Sequence, residues 1–378
     1  MGGWSPLDDS ELVAWLRLAF TPGLGRGAAR SLLACFGSPE AVWRASPEAW
    51  HEVLPARASQ ALAGADPRWP ERVQQTRQWL AGGERRGLIV LGDPHYPAAL
   101  LQTADPPLLL YGEGDGSCLS TRSLAIVGSR RPTAQGLAHA REFAQSLAGA
   151  GLAIVSGLAR GIDGAAHEGA LDAGGQTVAV VGTGLDQVYP ASHRALAARI
   201  AREGLLLSEF PPGTPPLAEN FPMRNRIIAG MTQGVLVVEA VLQSGSLITA
   251  RLAAEAGREV FAMPGSVQSA QSRGCHALIR QGAVLVETPA DVLAELPGPG
   301  VARPGADSVP TPEQGPSQEG DSDDPVLRAL GFDPVSVDAI CVRCGWPISE
   351  VSARLLEHEL TGTVARLPGG LYQRVRLA

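Results

Sequence analysis

Arginine, glycine and hydroxyl residues gathered in short loops are the groups in this sequence whose types and spacing suit a chemical task, and the task is holding phosphate. The first loop is Gly128-Ser129-Arg130-Arg131-Pro132. Glycine lets a ligand approach the backbone, serine offers a hydroxyl, and the two arginines supply planar forks that match phosphate oxygens. A second loop runs Ser156-Gly157-Leu158-Ala159-Arg160-Gly161-Ile162-Asp163. Further segments of the same character are Gly182 to Pro190, Ser208 to Gly213, Phe221 to Gly230, Gln243 to Ala250, and Met263 to Ser266. Within them, Ser244-Gly245-Ser246 opens a helix and forms an anion site, while Tyr189 and Phe221 offer faces on which bases stack.

The sequence also excludes chemistry. It contains no lysine, so all 31 basic residues are arginine. A Walker A loop and a Schiff-base enzyme both lack their essential amine. No G-x-G-x-x-G with a following acid comes after the first strand, which disfavours a dinucleotide cofactor. The seven histidines are scattered without metal-ligand spacing. Five cysteines form no disulfide framework, and the single pair Cys341 and Cys344 reads as an i, i+3 pair on the buried face of a small helix. We therefore expect no cofactor and no metal.

Two carboxylates need a decision. Asp163 and His167 lie four apart, the spacing of a water-activating pair, yet the preference of Asp for helix N-termini favours Asp163 as a cap with His167 beside it on the solvent side. Glu239 ends a strand, where it would serve either as a catalytic carboxylate or as an acceptor for the Ser244–Ser246 backbone. With no second suitable carboxylate, the structural role is preferred.

The elements that position these loops alternate. Apolar runs at Ser123–Val127, Leu152–Val155, Thr177–Val181, Leu205–Ser208, Val235–Val238, Glu259–Ala262 and Val284–Val286 are separated mostly by helical segments. This predicts a parallel sheet covered on both faces, with its loops converging at the strand carboxyl ends. Thr133 should cap a helix that buries Leu137, Phe143, Ala144 and Leu147.

The organisation predicted is a helical domain over 1–82, the α/β domain over 83–297, a disordered linker over 298–325 and a winged helix over 326–378. The linker is rich in Pro, Gly, Ser and acids. In the first domain, Thr21 to Gly27 reads either as a helix-hairpin-helix that holds a DNA phosphate or as a plain turn in a bundle. The formal charge of −7 is concentrated in residues 301–325, which carry a net of −5, so a local basic groove fits the remainder. With no long apolar run and no signal-peptide pattern, a cytoplasmic protein without a membrane segment is expected.

The motifs VGSRRPT, SGLARGIDGAAHEGAL, GTGLDQVYP, SEFPPGT, FPMRNRIIAG, SGSLITARLAAEAGREVFAMPG and LIRQGA, in this order from Leu124 to about Val286, closely resemble the DprA/Smf family of DNA-processing proteins. The resemblance implies an extended Rossmann-like, mostly parallel α/β domain, preceded by a small helical domain resembling a sterile alpha motif and followed by a winged helix. It implies a non-catalytic protein that binds single-stranded DNA, dimerises through the Rossmann-like domain and loads RecA during natural transformation and recombination. The arginine of the GSR motif, Arg130, would lie in the DNA groove. Gly128, Ser129 and Arg131 flank it, and Gly157, Ala159, Arg160, Gly161, Phe221, Arg224, Asn225, Arg226, Ser244, Gly245 and Ser246 complete the expected lining. By position in the family, Leu247, Leu252 and the strand around Phe261 are dimer candidates. Two departures stand out: many relatives carry a basic residue where this chain has Ala218 and Gln176. The competing readings are a nucleotide phosphoribohydrolase of the lysine-decarboxylase-like type, which needs PGGxGTxxE where this chain has QSGSLITA, and a scaffold acting through its winged helix.

Overall fold

Among the described residues, six helices occupy the N-terminal region: α1 (Asp9–Phe20), α2 (Arg26–Phe36), α3 (Pro39–Arg44), α4 (Pro47–Val53), α5 (Ala56–Ala63) and α6 (Trp69–Ala81). The start of α1 shows why they form. Asp8 caps it by accepting the Glu11 amide, acids fill its first turn, and Leu12, Trp15, Leu16 and Leu18 fall on the buried side. The structure is a computed structural model that describes residues 4, 7–64, 66, 68–296, 324–331, 334–367 and 369–375. Most of the expected linker, residues 298–323, lies outside the described residues.

The change from helices to strands falls between Ala81 and Arg86. The elements that follow are β1 (Arg86–Val90), α7 (Ala98–Leu101), β2 (Leu109–Gly114), β3 (Ser123–Val127), α8 (Ala134–Gly149), β4 (Ala153–Ser156), α9 (Ile162–Asp172), β5 (Thr177–Val180), α10 (Arg194–Glu203) and β6 (Leu205–Ser208). Next come α11 (Asn220–Met231), β7 (Gly234–Val237), α12 (Gly245–Glu255), β8 (Glu259–Ala262), α13 (Arg273–Arg280), β9 (Val284–Leu285) and α14 (Pro289–Glu295). The sheet order is β1-β2-β6-β5-β4-β3-β7-β8-β9. From β6 to β9 every neighbouring pair is parallel, whereas β1, β2 and β6 pair antiparallel. The mostly parallel α/β sheet is therefore as the sequence predicts, but the antiparallel edge strands β1 and β2 were not foreseen.

Alternation along the strands explains the layers. On β3, Leu124 and Ile126 pack with α8, α9 and α14, while Ala125 and Val127 pack with α11, α12 and α13. Leu137 is a correction: it is 40% exposed, and only Phe143, Ala144 and Leu147 of the predicted stripe are buried. After β3 the chain lays β4, β5 and β6 outward on one side, then crosses to place β7 on the other side of β3. The loops leaving β3 and β7 therefore diverge, and a crevice opens between them at the strand carboxyl ends.

The N-terminal helices rest on the β1–β2 end of the sheet, where Trp79 meets Tyr111 edge-on at 5.7 Å. Arg26 and Arg30 of α2 both pair with Asp105, at 2.6 Å each. The first arginines after the Thr21–Gly27 hairpin are thus spent on an internal contact.

The winged helix comprises α15 (Pro325–Leu330), β10 (Val335–Ser336), α16 (Val337–Cys344), α17 (Ile348–Leu360), β11 (Val364–Leu367) and β12 (Leu371–Arg374), with strand order β10-β12-β11. Its core is Val326, Leu327, Leu330, Val335, Ile340, Val351, Leu355 and Val364. Cys341 and Cys344 are unbonded and half-buried at its edge. Among the described residues no helix is long and apolar enough to cross a membrane.

Candidate nucleic-acid interface

The crevice between the β3 and β7 loops is a groove with a cavity of about 830 Å³. Gly128, Ser129, Arg130 and Arg131 form one wall, Ser244, Gly245 and Ser246 the other, and Phe221, Arg224, Asn225 and Ala159 lie between. A continuation toward Gly157, Arg160 and Tyr189 extends it past the end of β4. These predicted residues are thus brought together from five separate strand exits.

Each wall is fixed by bonds that begin in the sequence. Thr133 caps α8 by accepting the Gly136 amide at 3.0 Å. Glu239, at the exit of β7, accepts the Thr133 amide at 2.9 Å and its hydroxyl at 2.5 Å. Its structural role holds, but the partner is a correction: it ties the two walls together instead of serving Ser244–Ser246. Burial raises the Glu239 carboxyl, and the Thr133 bonds oppose that rise. Gln271, which sequence reasoning missed, donates to the Arg131 carbonyl at 3.0 Å. Opposite, Ser244 caps α12 and its hydroxyl lies 2.6 Å from that of Ser246.

The arginines divide into two groups. Arg130, Arg131 and Arg160 are exposed, and the guanidinium groups of Arg131 and Arg160 meet no acceptor among the described residues. Arg130 sits over the Phe221 ring at 5.9 Å. Phe221 in turn packs on Tyr189 at 5.4 Å, so the two aromatic residues form one tilted pair and Tyr189 stays about half exposed. Arg224 and Arg226 behave otherwise. Arg224 is only 5% exposed and donates to the carbonyls of Gly157 and Val180 beneath the groove. Burial holds its guanidinium down to about 10, with Asp163 opposing and Arg130 adding to the shift. Arg226 is not brought to the groove: it pairs with Glu209 and donates to the Asp105 carbonyl at 2.7 Å. It joins the Arg26–Asp105 cluster that ties the N-terminal helices to α11. A helix turns about 100° per residue, so an FPxRNR segment on α11 cannot aim both arginines the same way.

Asp163 and His167 also correct the sequence reading. Gly161, at φ 81°, is the N-cap of α9, and a side chain there would run into the Ser129 carbonyl and Pro132. Asp163 lies in the first turn, two residues past that cap, buried, and its carboxylate accepts the Gly157 and Ala159 amides at 3.1 and 3.3 Å. Burial raises this carboxyl, against the pull of Arg224 and the two amides. His167 is fully buried rather than solvent-facing, with Nδ1 at 2.7 Å from Thr177 Oγ1, and burial pushes it down to about 3. Each side chain is engaged separately, Asp163 by the two amides and His167 by Thr177.

Of the two departures, Ala218 lines the groove and Gln176 does not. Gln176 precedes β5, at the opposite sheet edge, where it accepts the Thr121 hydroxyl at 2.6 Å.

A mostly parallel Rossmann-like sheet with an arginine-lined groove at its carboxyl edge, carrying a helical region before it and a winged helix after it, defines the class of protein. Within that class, residues 87–297 match the family described as DNA recombination-mediator protein A, and residues 310–370 match the DprA winged helix domain. Protein Smf of Escherichia coli is 45% identical over 77% of this chain and 78% of its own length. Protein Smf of Synechocystis is 35% identical over 97% and 99% of the two chains. Among solved structures, DNA processing protein A from Streptococcus pneumoniae superposes with a TM-score of 0.66 at 36% identity, covering 78% of this chain and all of that one. A Helicobacter pylori DNA processing protein A, described for its single-stranded DNA binding mode, gives 0.50 at 33%, covering 55% and 95%. The chain belongs to the DprA/Smf family of DNA-processing proteins.

Proposed function

We propose that this protein binds single-stranded DNA along the groove and presents it to a RecA-type recombinase, as a non-catalytic mediator of recombination and natural transformation in the cytoplasm. One observation carries the reading: exposed Arg130, Arg131 and Arg160 line the same edge as the Tyr189–Phe221 pair, while the neighbouring carboxylates Asp163 and Glu239 are consumed by internal bonds. Cations track a phosphate backbone and aromatic faces accept bases without sequence preference. The H. pylori relative, described for the same ligand, supports it. The working units are residues 1–82, residues 83–297 and the winged helix, which opens at the capping residue Asp324, two residues before the expected boundary at 326. A second copy would dock on the apolar hollow lined by Leu242, Leu247, Val260 and Leu278, with Phe261 buried beneath it in the sheet.

A gel shift with single-stranded and duplex oligonucleotides of one sequence tests the proposal. Preference for the single strand is expected, and preference for duplex would overturn it. The phosphoribohydrolase reading predicts free base from nucleoside monophosphates. The motif that reading needs is absent, and Glu239, the candidate carboxylate at the exit of β7, is held by Thr133, so none is expected.

A further inference from the structure

We propose that Arg224 and Asp163 are positioning residues, which clamp the Gly157–Gly161 loop from two sides in the shape that meets DNA, and that Arg224 itself contacts no phosphate. The inference rests on the groove reading and deepens it. It also reassigns a residue that the motif alone would place among the DNA contacts.

The geometry centres on one peptide group. The Gly157 carbonyl accepts Arg224 Nη1, which also reaches the Val180 carbonyl at the end of β5. Arg224 Nε donates to Asn225 Oδ1 at 3.0 Å. On the other side, the Gly157 amide donates to Asp163, and Ala159 donates to the same carboxylate oxygen. A buried cation and a buried anion are thus bridged through the Gly157 backbone. A side chain at 157 would run into the Arg224 guanidinium, so only glycine admits this approach. The next residue, Leu158, is the one non-glycine among the described residues with positive φ, at 57°. Its carbonyl lies 3.1 Å from His193 Nδ1. A bulky side chain held in the left-handed region is strained and persists only where its surroundings over-determine it. The clamp supplies those surroundings. A charge buried with this many fixed partners is costly to strip of any one of them. Arg224 is therefore anchored to the loop, and contact falls to exposed Arg130 and Arg160.

The test uses the full chain and a fluorescein-labelled oligo(dT), titrated by anisotropy at several salt concentrations, with amide hydrogen exchange measured on the free protein. Removing a direct phosphate contact lowers the slope of log K against log salt by about 0.7 for a single strand. Arg130→Ala should show that loss. Arg224→Met should weaken binding about tenfold, the effect of about 1.4 kcal/mol, while keeping the wild-type slope. Its Gly157 and Ala159 amides should exchange faster than in the wild type. A slope reduced as in Arg130→Ala, an unchanged Kd, or loop amides as protected as before would each overturn the clamp. If Arg224→Met does not fold, Asp163→Asn carries the same expectations and the same refutations, since it loosens the loop from the other side. Failure of the wild type to bind the oligonucleotide would sink the groove reading instead, and the exchange comparison would still decide the clamp.

Discussion

At the sheet edge, Arg130, Arg131 and Arg160 stand exposed, and the acids nearby are turned inward to amides and a threonine. Helix α17, in the position from which winged helices commonly read DNA, is dressed in the opposite way. It carries Glu350, Glu357 and Glu359 on its exposed surface, and its one arginine, Arg354, pairs with Asp324 at 2.7 Å and Glu357 at 2.5 Å. On the same helix, Leu356 and Leu360 are 56% and 80% exposed. Both regions belong to folds that meet nucleic acids. The placement of unpaired charge, rather than the fold, separates them.

The largest test of that contrast is the double change Arg130→Ala with Arg131→Ala. It should cost at least tenfold in single-strand affinity and lower the salt slope by about 1.4 if both contact phosphate. An unchanged slope in a fluorescence titration would remove the groove from its side of the comparison. Next in size, Glu239→Ala cuts the tie between the walls. It should destabilise the fold by about 1–3 kcal/mol by leaving the Thr133 donors without their acceptor, read as a lower unfolding midpoint in urea. A midpoint equal to the wild type would show that the walls do not need the tie.

Acid should separate the two regions as well. His167 is neutral when folded and about 3 in pKa, whereas in the unfolded chain it takes up a proton near pH 6.5. Folding there excludes a proton, so the contribution of His167 to the stability of the α/β unit falls as pH drops from about 6.5 toward 3. In the winged helix, burial acts to raise Asp324, but His358, the Val326 amide and Arg354 outweigh it and hold the carboxyl at about 2. Its contribution is present above the unfolded value of 3.8 and is lost only as pH falls from there toward 2. Hydrogen exchange between pH 7 and 4.5 should therefore show β4 and β5 loosening before α15 and α17. The reverse order would refute the assignment. The smallest effect is expected from deleting residues 324–378: single-strand affinity should change less than about twofold, because losing no phosphate contact leaves the electrostatic term intact. A tenfold loss would mean that the winged helix shares the contact.

What the sequence made legible was periodic or local. The parallel strands, the Thr133 cap and the arginine loops all follow from runs a few residues long. The antiparallel β1 and β2 escaped because Leu109–Gly114 carries two glycines and lies beyond a Pro-rich connection, which masks its alternation. In the site, adjacent exits could be predicted to converge, but not which way a side chain turns on a helix that bridges them. Arg224 and Arg226 read alike in sequence, yet one faces the Gly157 carbonyl and the other Glu209. Asp163 shows the same limit. A residue type favoured as a cap was bonded to the preceding loop, because Gly161 at positive φ had already taken the cap position.

The crowding at Gly157 has an outcome for how the protein tolerates change. One methyl group there displaces a guanidinium, whereas a new side chain at exposed Gly245 meets nothing within 4 Å. In a saturation library selected for a folded, ligand-competent groove, position 157 should admit no replacement while position 245, in the same lining, stays permissive. The substitution map of this groove would then be set by the space behind the surface more than by the surface itself.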